Sequence, residues 1–352
     1  MDKWMEYLQA AVQNQSSDVF FVAGKVPCEK FEGHLRPLGE EKLLPEDTRK
    51  IVEGIYSAAG RSMGDFLSRG DDDFSFSVPS LARFRVNTYR QRGSMAAVIR
   101  LVSFDIPDWK KLRIPESVMD LAELTSGMVL VTGTAGSGKS TTQACIIDRI
   151  NRNRDCHIVT LEDPIEFLHR HRRSIVSQRE IAIDTKDYLC ALRACVRQAP
   201  DVILLGEMRD AETIHTAMTA AETGHLVIAT LHTKGAVNAI DRIIDAFPST
   251  QQTQIRVQLA TVLQTVVSQQ LLPDVHGGLV PACEILHCNS AVRSLIRDHK
   301  NHQIDSVIAS GSRDGMISMD QAIAALCRSG RISKETALHY ADHPEQLKRN
   351  LA

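Results

Sequence analysis

Apolar residues recur at two spacings along this chain, and the change of spacing divides it. Near the start, Trp4, Met5, Leu8, Ala11 and Val12 recur at helical intervals and predict a short amphipathic helix. Short β-like runs follow at Asp18–Val22 and Phe31–Gly33, interrupted by Gly24 and Pro27. A helix is predicted from Pro45 to Ala59. Alternation returns at Phe74–Val78, Arg83–Asn87 and Ala96–Val102. This pattern predicts a small α/β domain over residues 1–102. The polar stretch Asp105–Lys111, with Pro107 inside it, falls within a predicted linker at 103–115.

A second domain is expected over 116–352. Continuous apolar runs at 128–132, 157–161, 202–205 and 226–230 alternate with helical segments. Strands of that kind are buried on both faces, so the pattern predicts a parallel sheet covered by helices on each side. In the helix expected at 211–223, Ile214, Ala217, Met218 and Ala221 share one face. Asp210 is placed to cap it and Gly224 to end it. Beyond about 240 the chain reads as mostly helical, with Gly330 closing one helix and Ser333 capping another.

The run at 128–132 leads into Gly133, Thr134, Ala135, Gly136, Ser137, Gly138, Lys139 and Ser140, followed by Thr141. This is the spacing G-x-x-x-x-G-K-[ST] between a strand and a helix. Its backbone N–H groups can close around phosphate oxygens, and Lys139 can reach the β- and γ-phosphates. The Ser140 hydroxyl is placed to ligate Mg²⁺, and the helix N-terminus favours negative charge. The motif predicts a nucleoside triphosphate with Mg²⁺ as its ligands.

A hydrolytic site also needs groups that orient water and hold charge, at the carboxyl ends of neighbouring strands. The run 158–161 ends in Glu162, Asp163 and Glu166. These carboxylates suit a metal-bound water, and equally an ordinary acidic turn. The run 202–205 ends in Gly206-Glu207, with glycine where an aspartate is usual. Glu207 is a candidate to orient water or to contact Mg²⁺ through water. His225 and His232 bracket the run 226–230. They suit γ-phosphate sensing or a structural role.

Bulk properties narrow the field. The 352 residues carry a formal net charge of −2, so nothing pulls the whole chain toward nucleic acid or an anionic membrane. The basic cluster 169–173 contains no aromatic residue and reads as solvated surface or subunit contact. Eight cysteines include no C-x-x-C pair, which predicts reduced thiols and no zinc. No signal peptide and no membrane-spanning run is evident, so the expected location is cytoplasmic, with any membrane role peripheral.

Taken together, these segments resemble the secretion and pilus motor ATPases of the GspE/PilB/PilT superfamily, over essentially the whole chain. Thr160–Phe167 is similar to the aspartate box, Val196–Asp210 to the family's Walker B string, and Thr219–His225 through Leu231–Thr233 to the histidine box. The Gly206-Glu207 pair is typical of that family. Ala291–Asp298 resembles the AIRNLIRE motif of the PilT-like retraction branch, with Ala291, Val292, Leu295 and Ile296 on one helix face and two arginines free for a partner. The tail 337–342 is closer to PilU-like accessory motors.

The resemblance implies a PAS-like N-terminal domain, a RecA-like ATPase domain and a homohexameric ring. Arg85, Arg100, Arg193 and Arg197 would reach nucleotide at or near a subunit interface. The catalytic carboxylates would be Glu207 and Glu162, with His225 and His232 beside them. The expected partners are an inner-membrane pilus platform protein and a paralogous motor ATPase, at the pilus base, with type IV pilus retraction as output. An extension or type II secretion motor, or a nucleotide-gated module without turnover, are the alternatives.

Overall fold

In the computed structural model, residues 3–31, 33–79, 81–102 and 105–351 are described. Glu32 of the run 31–33 and residues 103 and 104 of the predicted linker lie outside them. The chain gathers into two units. One holds the residues up to Asp105 together with Glu166–Leu168, and the other holds Ile106–Ile165 with the chain from His169 onward.

The first unit begins with α1 (Lys3–Gln13), then β1 (Asp18–Phe21), β2 (Cys28–Phe31) and β3 (His34–Pro37). Next come α2 (Pro45–Ala58), α3 (Gly64–Arg69), β4 (Asp71–Val78), β5 (Ala82–Gln91) and β6 (Ser94–Val102). The strands form an antiparallel sheet in the order β3-β2-β1-β6-β5-β4. Alternation along β5 buries Phe84 and Val86 against Leu8, Val52 and Ile55 of the helices. The intervening Arg83 and Arg85 therefore stand on the other face. Register places Arg85 directly opposite Arg100, and Arg100 opposite Asp18. Arg85 pairs with Asp73 at 2.6 Å and Arg100 with Asp18 at 2.9 Å.

The second unit contains α4 (Glu116–Met119), β7 (Gly127–Thr132), α5 (Lys139–Asn153), β8 (His157–Glu162), β9 (Ile175–Glu180), α6 (Tyr188–Cys195) and β10 (Val202–Leu205). It continues through α7 (Ala211–Glu222), β11 (Leu226–Leu231), α8 (Ala236–Asp245), α9 (Ser249–Val262), β12 (Leu263–Pro273) and β13 (Leu279–His287). Five helices close it: α10 (Ser290–Arg297), α11 (Ile304–Ser310), α12 (Met319–Arg328), α13 (Lys334–Tyr340) and α14 (Pro344–Asn350). The sheet order is β13-β12-β7-β11-β10-β8-β9, parallel except for β13. α5 covers one face and α6 to α10 the other, so the central strands are apolar throughout. Asp210 caps α7 through its side chain, and Gly224 beyond its end has φ +105°.

Two expectations need correction here. The region beyond 240 is not mostly helical, because the long hairpin β12–β13 completes the sheet. Thr265, Ser268 and Gln269 are buried on β12, so the strand shows neither an apolar run nor alternation. The second correction concerns α10. Val292 and Ile296 are buried as expected, but Ala291 is exposed and Arg293 is not free for a partner. Its Nη1 donates to the Ala260 and Thr261 carbonyls, the latter at 2.8 Å, and its Nη2 donates to Gln264 Oε1 at 3.2 Å. These carbonyls belong to the last turn of α9, where no intrahelical donor remains. Arg293→Ala is expected to cost about 1–3 kcal/mol in urea unfolding, by orphaning those acceptors. Arg297→Ala, at an exposed position, should stay within about 0.5 kcal/mol of wild type.

Candidate nucleotide site

The site is built on the carboxyl edge of the parallel strands. Leu231 pairs in register with Thr132, Leu205 with Ala229, and Leu161 with Leu205. The residues at these strand ends are Gly133, His232, Gly206-Glu207 and Glu162, the last residue of β8. Register alone therefore brings them to one rim.

At the glycine-rich loop, Lys139 is buried, and its Nζ donates to the Gly133 and Thr134 carbonyls at 2.9 and 2.8 Å. These contacts satisfy an ammonium that would otherwise be costly to bury. Beside it, Thr132 Oγ1, Ser137 Oγ and Gln143 Nε2 are buried with no hydrogen-bond partner. Such orphans at the head of a helix suit phosphate oxygens or ordered water. Ser140 and Thr141, half-buried, sit in the first turn of α5.

Glu207 is buried and lies between Arg209 and His232. Arg209 contacts Oε1, and His232 Nε2 stands 3.5 Å from Oε2. Glu162 Oε1 accepts from Thr160 Oγ1 at 2.6 Å and from Gln178 Nε2 at 3.2 Å. Tyr188 opens α6 close by. Its hydroxyl is pushed well up, first by burial and then by the Glu207, Asp163 and Glu162 carboxylates, so it stays protonated. This tyrosine explains the glycine in the Walker B position. A Cβ at Gly206 would stand 2.7 Å from the Tyr188 hydroxyl and 3.2 Å from the Leu161 carbonyl. There is no room for an aspartate.

Not every candidate gathers at this rim. His225 precedes β11, whereas His232 follows it, so the two are separated by about 20 Å of strand. His225 therefore stands at the opposite end of β11 from its own chain's phosphate loop. Its Nδ1 lies 2.9 Å from the Ala220 carbonyl and 3.2 Å from Thr223 Oγ1, at the end of α7. Arg193 pairs with Glu212 at 3.6 Å, and Arg197 Nη1 donates to the Arg193 carbonyl at 2.9 Å. Arg85 and Arg100 stand in the first unit, in the ion pairs given above.

Three residues at the site were missed from sequence: Tyr188, Arg209 and Gln269. Arg209 lies inside the Walker B string, two residues beyond Glu207, and that proximity was a usable signal. The other two come from elements with no motif. Among the described residues no group of three His, Cys, Asp or Glu side chains could hold a metal ion. A magnesium site here would accordingly draw on Ser140 and on phosphate oxygens, as this ion commonly does with nucleotides.

A Gly-Lys-Ser loop between a buried parallel strand and a helix, with Glu207 at the next rim position but one, defines a P-loop NTPase. The chain belongs to the type II/IV secretion system protein family, whose model matches residues 3–332. It is 40% identical over 342 residues to the type IV pilus retraction ATPase PilT of Pseudomonas aeruginosa, covering 97% of this chain and 99% of that one. The type IV pilus ATPase PilU of the same organism is 37% identical over 342 residues, with 97% and 89% coverage. A crystal structure of the pilus retraction motor PilT with bound ADP superposes with a TM-score of 0.90 and 43% identity, covering 99% of this chain and 100% of that one.

Gly206→Ala is expected to cost about 1–3 kcal/mol by overpacking and to depress hydrolysis. Adding Tyr188→Phe removes the nearest clashing atom and should recover part of both losses. Thermal melts and phosphate release on the single and double variants check this.

Proposed function

We infer that this chain is an ATP-hydrolysing motor that drives type IV pilus retraction. The observation that carries the reading is the full-length likeness to ADP-bound PilT, together with Glu207 held by Arg209 and His232 beside a complete phosphate loop. Lys139 is proposed to exchange the Gly133 and Thr134 carbonyls for phosphate oxygens when ATP enters. Glu207 orients the attacking water, and Arg209 and His232 fix its carboxylate. Glu162, held by Thr160 and Gln178, faces the same rim and assists through water. Mg²⁺, held by Ser140 and the phosphates, would neutralise charge on the transferring group.

The active species is proposed to be a homohexamer, acting at the inner face of the cell membrane on a pilus platform protein, with a PilU-like paralogue as a second motor. Arg85, Arg100, Arg193 and Arg197 would complete the site from a neighbouring domain or subunit, and residues 103–115 would flex as nucleotide turns over. Among the described residues no helix is long and apolar enough to cross a membrane.

Lys139→Ala should abolish phosphate release. Glu207→Gln should lower it by about a hundredfold or more while ADP binding persists. Wild-type turnover in Glu207→Gln would refute the role given to Glu207. In cells, a deletion strain is expected to carry long, unretracted pili and to lose twitching. Loss of pili altogether would instead favour an extension motor.

A further inference from the structure

We propose that Gln269, on β12, is a positioning residue that sets the phosphate loop in its nucleotide-binding conformation. This rests on the reading of that loop as the ATP site. Gln269 is 2% exposed and lies 132 residues from its principal partner in sequence. Its Nε2 donates to the Ser137 carbonyl at 2.8 Å, and its Oε1 accepts from Thr142 Oγ1 at 2.8 Å. The amide orientation follows from chemistry. A carbonyl can only accept, so the nitrogen must face Ser137, which leaves the oxygen for the Thr142 hydroxyl.

The consequence reaches the loop's donors. In a trans peptide the C=O and N–H lie in one plane and point in opposite directions within it. By holding the Ser137 carbonyl toward β12, Gln269 turns the Gly138 N–H the other way, toward the concavity where phosphate binds. Gly138 itself has φ +86°, and a Cβ there would stand 2.8 Å from Gln269 Nε2. The loop and this side chain are therefore fitted to one another. Thr142 lies in the first turn of α5, so the amide also locks the loop to the helix whose N-terminus faces the phosphates.

Gln269→Glu and Thr142→Val separate the two bonds. The first keeps the acceptor for Thr142 but sets a carboxylate against the Ser137 carbonyl. The second frees the amide without touching the loop. The measurements are ADP affinity by a fluorescent analogue, ATP turnover, and melting without nucleotide, all on the full chain. In alkaline buffer Q269E should weaken ADP binding by about tenfold, the scale of one buried unsatisfied acceptor. In mildly acidic buffer the protonated carboxyl can donate again, and the deficit relative to wild type should shrink. T142V should weaken ADP binding by about two- to fivefold and, by leaving the buried Gln269 Oε1 without its donor, lower the nucleotide-free melt modestly. ADP affinity within about twofold of wild type in both variants overturns the proposal, as does a loss of melting temperature with unchanged affinity. If Q269E yields no folded protein, T142V decides alone, and unchanged ADP affinity there overturns it. Wild-type protein that neither binds ADP nor hydrolyses ATP would refute the ATPase reading instead.

Discussion

Parallel pairing of β7, β11, β10 and β8 governs everything else in the second unit. Helices cover both faces of these strands, so their side chains are committed to packing. Polar chemistry can then appear only where a strand ends. Because the strands are in register and run the same way, their ends form one rim, and the residues at the end of each strand meet those at the end of the next. Gly133, His232, Glu207 and Glu162 are neighbours for that reason. The same geometry sends His225, one position before a strand, to the opposite rim. The family string that contains both histidines is thus split by the length of β11.

The hairpin β12–β13 does for the loops what register does for the strands. Consecutive residues on β12 point to opposite faces. Gln269 grips the phosphate loop on one face, while Ser268 Oγ on the other accepts from Gly235 N at 2.9 Å. Opposite Ser268 in register stands Glu284, buried, which accepts from Ala236 N at 2.7 Å and from Met319 N at 3.4 Å. Lys234 pairs with Asp342 at 2.7 Å. The short segment between His232 and α8 is therefore tied to β12, β13, α12 and the turn before α14. A change at His232 has direct physical contacts through which to reach the C-terminal helices, although distance along the chain conceals them.

What could be read from sequence follows from how local each signal is. The strands β7, β8, β10 and β11 were legible because complete burial leaves continuous apolar runs, and the caps of α7 because Asp210 and Gly224 act within a turn of the helix. The phosphate loop was legible because its conformation needs glycine and lysine at fixed spacing. Gln269 and Tyr188 were not, since each matters only through a partner far away in sequence. β12 was hidden by its buried threonine, serine and glutamine, and β9 by its polar residues at a sheet edge. Arg293 misled for a related reason. Val292 and Ile296 were placed correctly on the buried face, but the open carbonyls that Arg293 satisfies belong to α9, which periodicity cannot place beside it.

The arginines then separate by what they would lose on changing partner. Arg293 serves three acceptors at a helix end and would leave them unsatisfied if it moved. Arg85 and Arg100 are in surface pairs, with side chains 38% and 67% exposed. Water competes for both charges of Arg85–Asp73, which contributes about 0–1 kcal/mol, whereas in Arg100–Asp18 it competes for the arginine alone, because Asp18 is buried. Asp18 keeps a second bond, from Ser17 Oγ at 2.8 Å, if Arg100 swings away. Two like charges placed opposite each other on β5 and β6 repel, and Asp73 and Asp18 offset that repulsion. An anionic phosphate group would compete well for either side chain. The ion pairs of Arg85 and Arg100 are thus compatible with recruitment to a nucleotide, whereas the contacts of Arg293 belong to the fold.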